Sequence, residues 1–243
     1  MLYGKERRIK SLRMRQRENP SRAKIIIRTV FTILLFLALI FVPAGTLKWP
    51  EAWLFIFLYL AVVTGMMIWM KKKAPGLLKE RMSPKKDAKS WDKRILTAYT
   101  LILMAFLIVP GLDAVRFGCS EVPLTVKVLA FIGFIPGSGF AFWAMKENAY
   151  LSDVVRIQKD RGHTVCTTGP YKYVRHPMYV GVILIIFCLP LSLGSFYALI
   201  PAFIIAVLFI VRTSLEDKTL EEELPGYKEY AQKVRYRLLP GVW

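Results

Sequence analysis

Hydrophobic positions in this chain come in long unbroken runs, without the period of 3.6 or 2 that marks a half-buried helix or strand. The runs are Ile25–Ala44, Glu51–Met70, Ile95–Leu112, Pro123–Met145, Met178–Leu193 and Ser195–Val211. About 20 apolar residues carry a helix across the hydrocarbon core of a bilayer. The last two runs are shorter and belong to one apolar stretch, too long for a single ordinary span. Pro190 and the turn-forming Leu193-Gly194-Ser195 divide it. The pattern predicts an all-α polytopic membrane protein with about six transmembrane helices, the last two a short helical hairpin.

Charge then orients the spans. The chain has 35 Lys and Arg against 17 Asp and Glu, a net +18. With six spans, 31 of the 35 cations fall on one side, in the segments 1–24, 71–94, 146–175 and 212–243. The opposite connectors carry only Lys48, Arg116 and Lys127. The positive-inside rule places both termini in the cytoplasm. In a bacterium this is the inner membrane. The excess charge therefore reads as topology and contact with anionic membrane lipids, with no nucleic acid partner. The basic leader is too long and too charged for a cleaved signal peptide, which predicts a retained anchor. Cys119, Cys166 and Cys188 lack disulfide or metal spacing, so no metal is expected.

The expected organisation is a basic cytoplasmic arm over 1–24, a four-span membrane region over 25–145, and a connector, hairpin and tail over 146–243. Trp49 and Trp53 at one end of the second span, and Trp69 near the other, predict an interfacial belt. The segment Ala74–Ser90 mixes Leu77, Leu78 and Met82 with lysines, and is expected along the headgroups. Gly133 and Gly137 form a GxxxG pattern that predicts close helix packing.

Groups able to do chemistry concentrate late in the chain. The tract Asn148–Tyr179 holds both histidines, His163 and His176, with Arg156, Arg161, Arg175, Asp153 and Asp160. Polar groups at a membrane entrance are costly and mark function. His176 and Pro177 read as the cap and first residue of a helix, whose exposed N-terminus favours an anion. After the last run come Arg212, Glu216 and Asp217. Arg212 and Glu216 share one helix face at i,i+4 spacing, where a simple surface ion pair is the plainest expectation. Leu220 and Leu224 continue that face, which predicts a partly buried Glu216. A short hairpin returns the chain to the side it left, so Arg175, His176, Arg212 and Glu216 are expected to converge.

These residues carry a resemblance. Gly169-Pro170-Tyr171, Arg175-His176-Pro177-Met178-Tyr179, Arg212 with Glu216-Asp217 and Leu220, then Tyr227, Tyr230, Arg237 and Pro240, resemble the integral-membrane methyltransferases of the isoprenylcysteine carboxyl methyltransferase and phospholipid methyltransferase superfamily. Asn148-Ala149-Tyr150-Leu151-Ser152 and Gly162-His163-Thr164-Val165 fit the same pattern. The resemblance covers roughly residues 145–243. It implies a cytoplasm-facing S-adenosylmethionine site lined by His163, Gly169, Tyr171, Arg175, His176, Pro177 and Tyr179. It further implies that Arg212 and Glu216 complete the site as catalytic residues, with Glu216 also touching the cofactor. The family usually has two glutamates where this chain has Glu216-Asp217, so the second carboxylate is one methylene shorter.

The expected reaction is methyl transfer to a lipophilic acceptor, a prenylated cysteine carboxylate or a phospholipid amine. Arg175 or the helix N-terminus suits the methionyl carboxylate, and a tyrosine suits adenine. Glu216 suits the ribose hydroxyls or the ammonium, or holds Arg212. A carboxylate acceptor needs no base, whereas an amine acceptor needs His176 or Glu216 to take its proton. Two other readings stay open: an NADPH-dependent membrane sterol-type reductase, from which Met178 and Val182 depart, and a non-catalytic membrane lipid-binding protein.

Overall fold

The computed structural model describes residues 22–83 and 87–243 and is all-helical, with no strand among them. Most of the basic arm over 1–24 lies outside the described residues. The helices are α1 (Arg22–Ala44), α2 (Pro50–Lys73), α3 (Pro75–Met82), α4 (Ser90–Pro110), α5 (Leu124–Glu147), α6 (Pro177–Ser192), α7 (Leu199–Glu223) and α8 (Tyr227–Lys233). A π-helical segment, Gly111–Phe117, prolongs α4. Four helices are long and apolar enough to cross a membrane: α2, α4 with its extension, α5 and α7. Two shorter apolar helices, Thr29–Ala44 and Pro177–Ser192, complete the set.

Those six pack into one apolar core, with Ile40, Ala52, Phe106, Phe134, Ile186 and Ile205 at its centre. Large side chains such as Phe57, Leu101, Ile135 and Phe203 face outward, as a lipid-facing surface requires. The closest approach joins α5 to α6. A methyl group on Gly137 would come within 2.9 Å of Ile185, and one on Gly181 within 2.5 Å of the Gly137 carbonyl. Gly133 abuts Cys188 in the same way, at 2.7 Å. Small residues here let two backbones meet.

The structure corrects four expectations. The sixth apolar run forms its helix only from Leu199, later than Ser195, and the helix continues to Glu223, as the shared face of Arg212, Glu216 and Leu220 predicts. Gly194, at φ +84°, turns the chain, and the Ser195 hydroxyl accepts from the Ala198 N–H, which delays the helix start. Nothing stops the helix until Leu224, which adopts extended backbone before Pro225. Trp49 is buried edge-on against Phe41 instead of lying in the interfacial belt; Trp53 is exposed and donates its indole N–H to the Leu47 carbonyl. Of the segment 74–90, residues 84–86 lie outside the described residues, and the α3 part does not simply lie along headgroups, because Leu77 packs against Met70 and Met145. Finally, the α6 N-terminus is buried, with His176 and Pro177 both enclosed by protein.

Each end of the bundle has its own polar fastening. At one end, Lys127 at the start of α5 pairs with Glu51 of α2 at 2.8 Å. Nearby, buried Asp113 accepts from Ser120 Oγ at 2.6 Å, Ser195 Oγ at 2.5 Å and the Tyr197 N–H at 3.3 Å. This ties the end of α4 to the α6–α7 turn. The other end gathers the basic segments, the connector 148–176 and the tail.

Candidate active site

The connector is irregular in backbone but fixed by side chains. Asn148 ends α5, and its Oδ1 accepts from the Tyr150 N–H at 2.9 Å. Gln158 is fully buried and donates to the Tyr150 carbonyl. Arg156 grips Glu80 of α3 through Nε at 3.0 Å and Nη2 at 2.8 Å. Gly169 has φ +56°, and a side chain there would collide with Glu147 at 2.4 Å. That tight passage, followed by the turn Gly169–Lys172, buries Tyr171 beside the start of α6.

The tail closes the same region. The Arg175 and His176 N–H groups donate to the Tyr236 and Arg237 carbonyls, both at 3.0 Å. Asp217 is the hub. Its carboxylate, 1% exposed, accepts from Arg175 Nη2 at 2.8 Å, Arg237 Nε at 2.6 Å and the Tyr227 hydroxyl at 2.6 Å. It also lies 2.8 Å from His176 Nε2. One buried carboxylate thus joins α6, α7, α8 and the tail, and an ion held this way is stable only because every lone pair is used. The shorter side chain at 217 is therefore a structural anchor.

A cleft opens between the connector, the α6 N-terminus, the end of α7 and α8. His163, Tyr171, Arg175, His176, Tyr179 and Glu216 all line it. Gly169 and Pro177 shape it without lining it, and neither does Arg212. Arg212 also departs from its expected partner. Its Nε donates to Asp92 of α4 at 2.7 Å and its Nη2 to the Asp153 carbonyl at 3.0 Å. Glu216 instead accepts from the Tyr179 hydroxyl at 2.7 Å. The sequence reading missed Asp92, which stands 120 residues from its partner. It also overlooked the cleft walls Val154, Val155 and Cys166. No spacing pattern points to these, because they belong to an irregular segment.

Electrostatics divides the lining. Burial, with the Arg161 and Arg156 cations close by, lowers the His163 pKa to about 4, so its ring is neutral near pH 7. Burial raises the hydroxyls of Tyr171 and Tyr230, and burial together with Asp217 raises that of Tyr227. These phenols act as neutral hydrogen-bonding groups, not as bases. Glu216 is the single carboxylate in the lining among the described residues. Arg175 lines the cleft, and its Nε is buried with no acceptor.

Residues 128–222 match the isoprenylcysteine carboxyl methyltransferase (ICMT) family. With the apolar helices, that match makes the chain an integral-membrane methyltransferase that uses S-adenosylmethionine. Comparison with curated proteins gives no match. The ICMT region covers most of α5, the connector, α6 and nearly all of α7. It leaves out Asp92, Tyr227, Tyr230 and Arg237, which the structure adds to the region's surroundings. The lining fits the methyl donor: a cation for a carboxylate, one carboxylate for hydroxyls or an ammonium, and a wall of aromatic and apolar side chains.

Proposed function

We propose that the cleft binds S-adenosylmethionine from the cytoplasm and serves methyl transfer to a lipophilic acceptor reached from the bilayer. The acceptor class is a prenylated-cysteine carboxylate or a phospholipid amine. The observation that carries this reading is one cleft lined by both Arg175, a guanidinium whose Nε lacks an acceptor, and Glu216, its single carboxylate among the described residues. The cytoplasmic orientation rests on the charge asymmetry of the connectors. The division into a basic arm, a four-span region and a site-forming 146–243 belongs to the same reading.

In this arrangement Arg175 holds the carboxylate of the amino-acid moiety, and Glu216 accepts from its ammonium or from ribose hydroxyls. Tyr171, Tyr179 and Tyr230, with Leu220 and Leu224, enclose the purine and exclude water. His163, His176, Gly169 and Pro177 fix the cleft's shape and polar rim. Bound S-adenosylmethionine supplies an electrophilic methyl group on a sulfonium. The chain's part is to orient the acceptor against that methyl group, a matter of position more than of acid–base chemistry. A carboxylate acceptor asks for no proton transfer, and for an amine acceptor His176 or Glu216 takes the proton.

The test is transfer of label from methyl-labelled S-adenosylmethionine into lipid by the full chain in vesicles, run beside NADPH oxidation. Label in the lipid fraction, lost by roughly 10–150-fold in Arg175→Ala and Glu216→Ala, is expected from the size of a charge-assisted contact. NADPH oxidation without label transfer would replace this reading with the reductase. Binding of lipid without either activity would replace it with a lipid-binding protein. Mass analysis of the labelled lipid identifies the acceptor.

A further inference from the structure

We infer that Asp92, outside the matched region, is a positioning residue for methyl transfer; this rests on the function proposed above. Asp92 lies in the first turn of α4 and is fully buried. Its Oδ1 accepts from Arg212 Nε at 2.7 Å, and its Oδ2 accepts from the Val155 N–H at 2.7 Å. One carboxylate thereby ties together α4, α7 and the connector. Val155 is a wall of the cleft. The Arg212 guanidinium carbon lies 5.5 Å from the centre of the Tyr179 ring. Tyr179 in turn donates to Glu216 at 2.7 Å and stacks on His176 with an interplanar angle of 7°.

The chain of contacts runs Asp92, Arg212, Tyr179, Glu216. Its last two members line the cleft and its first two do not. Arg212 therefore acts on the cleft through the Tyr179 ring, and Asp92 sets where Arg212 stands. A buried ion pair is poor evidence for stability, since apolar replacements often serve a fold as well. What an apolar pair lacks is direction: it neither accepts from the Val155 N–H nor holds a cation over one ring. Asp92 also explains why a region confined to the second half of the chain needs α4 against it.

The experiment uses the full chain in lipid nanodiscs, with affinity for S-adenosylmethionine and labelled transfer both expressed per folded molecule. Asp92→Asn is expected to weaken cofactor affinity or transfer by about 10–100-fold, the scale of a small misplacement in a site. In a cycle with Arg212→Met, the double variant is expected to cost no more than Arg212→Met alone. Additive losses, or Asp92→Asn at wild-type affinity and rate, overturn the inference. A merely structural role lowers the melting temperature and leaves affinity per folded molecule unmoved. If Asp92→Asn does not fold, the apolar pair D92L/R212M is measured: folded protein with impaired transfer supports the inference, and wild-type transfer overturns it. A wild-type chain that transfers no label overturns the proposed function itself, and this inference with it.

Discussion

The two ends of the bundle each bury one carboxylate at a junction of helices, and they neutralise it differently. At one end Asp113 takes two serine hydroxyls and a backbone N–H, all neutral donors. At the other, Asp217 takes Arg175 and Arg237, contacts His176, and accepts from Tyr227. The neutral clamp joins a helix end to a hairpin turn through Oδ2 alone, and its Oδ1 is buried without a partner. The cationic clamp sits behind a cleft and leaves a guanidinium N–H without an acceptor. The difference teaches that a buried acid alone does not mark a site. What sets the second end apart is that Arg175, His176 and Glu216 line a cleft beside it.

The comparison breaks most sharply at Asp217. Asp217→Ala would leave Arg175 and His176 buried around a missing anion. Removing one partner of a buried pair costs about 3–5 kcal/mol, so a large drop in thermal midpoint is expected, with loss of cofactor binding. A midpoint near wild type would place Asp217 on a level with any surface acid. Glu216 is the contrasting case on the same helix, because it is 22% exposed and its hydrogen bond is with a neutral tyrosine. Glu216→Gln is expected to leave the fold intact and weaken cofactor affinity by about 1.5–3 kcal/mol. Binding measured by calorimetry at wild-type strength would remove Glu216 from the site.

How much of this was legible in the sequence depends on the range of each interaction. Hydropathy is a local property, so most of the apolar spans and the turn at Gly194 could be read directly. Gly133 and Gly137 announced a close helix pair, although Gly181, which meets Gly137, did not. Pro177 marked a helix start because its missing N–H costs nothing there. The resemblance named residues that the fold brings around one cleft, and it could not say that Arg212 stands behind them. That arrangement depends on Asp92, an acid in the first turn of a distant apolar helix, where acids are common for the helix dipole alone. The partner of Arg212 was misread for a related reason. Arg212 and Glu216 read most plainly as a surface ion pair, but Arg212 is buried against Asp92 of a distant element. Trp49 failed because an aromatic beside a proline at a span end looks the same whether it faces lipid or Phe41.

At the opposite end, Asp113→Ala is expected to cost less. It leaves the Ser195 and Ser120 hydroxyls without their acceptor, an unsatisfied-group penalty of about 1–3 kcal/mol. Affinity for S-adenosylmethionine per folded molecule should not change, since no atom of this clamp lines the cleft. A shift in affinity would show that the hairpin turn transmits position along α6 and α7, and the two ends would then form one device.

The smallest effect concerns pH and belongs to the cleft end alone. His163 has its folded pKa lowered to about 4 from 6.5 by burial and by the neighbouring Arg161 and Arg156. Its Nδ1 also accepts from the Gln158 N–H at 3.4 Å, which protonation would forbid. As pH falls from 6.5 toward 4, the unfolded chain takes a proton at this position and the folded chain does not. Stability is therefore fully present above pH 6.5 and declines through that window. The ring is only half-buried, so solvent screens the effect and the decline is modest. His163→Gln removes the titration while keeping an acceptor for Gln158. Its thermal midpoint should fall less than the wild type's between pH 7 and 4.5, by no more than about 2–4 °C, the scale of 1 kcal/mol in a chain of this size. Parallel midpoint curves for the two proteins would mean that His163 is solvated in the folded state. The cleft wall would then lie farther open than the Tyr150–His163 ring contact, at 4.6 Å between centroids, indicates.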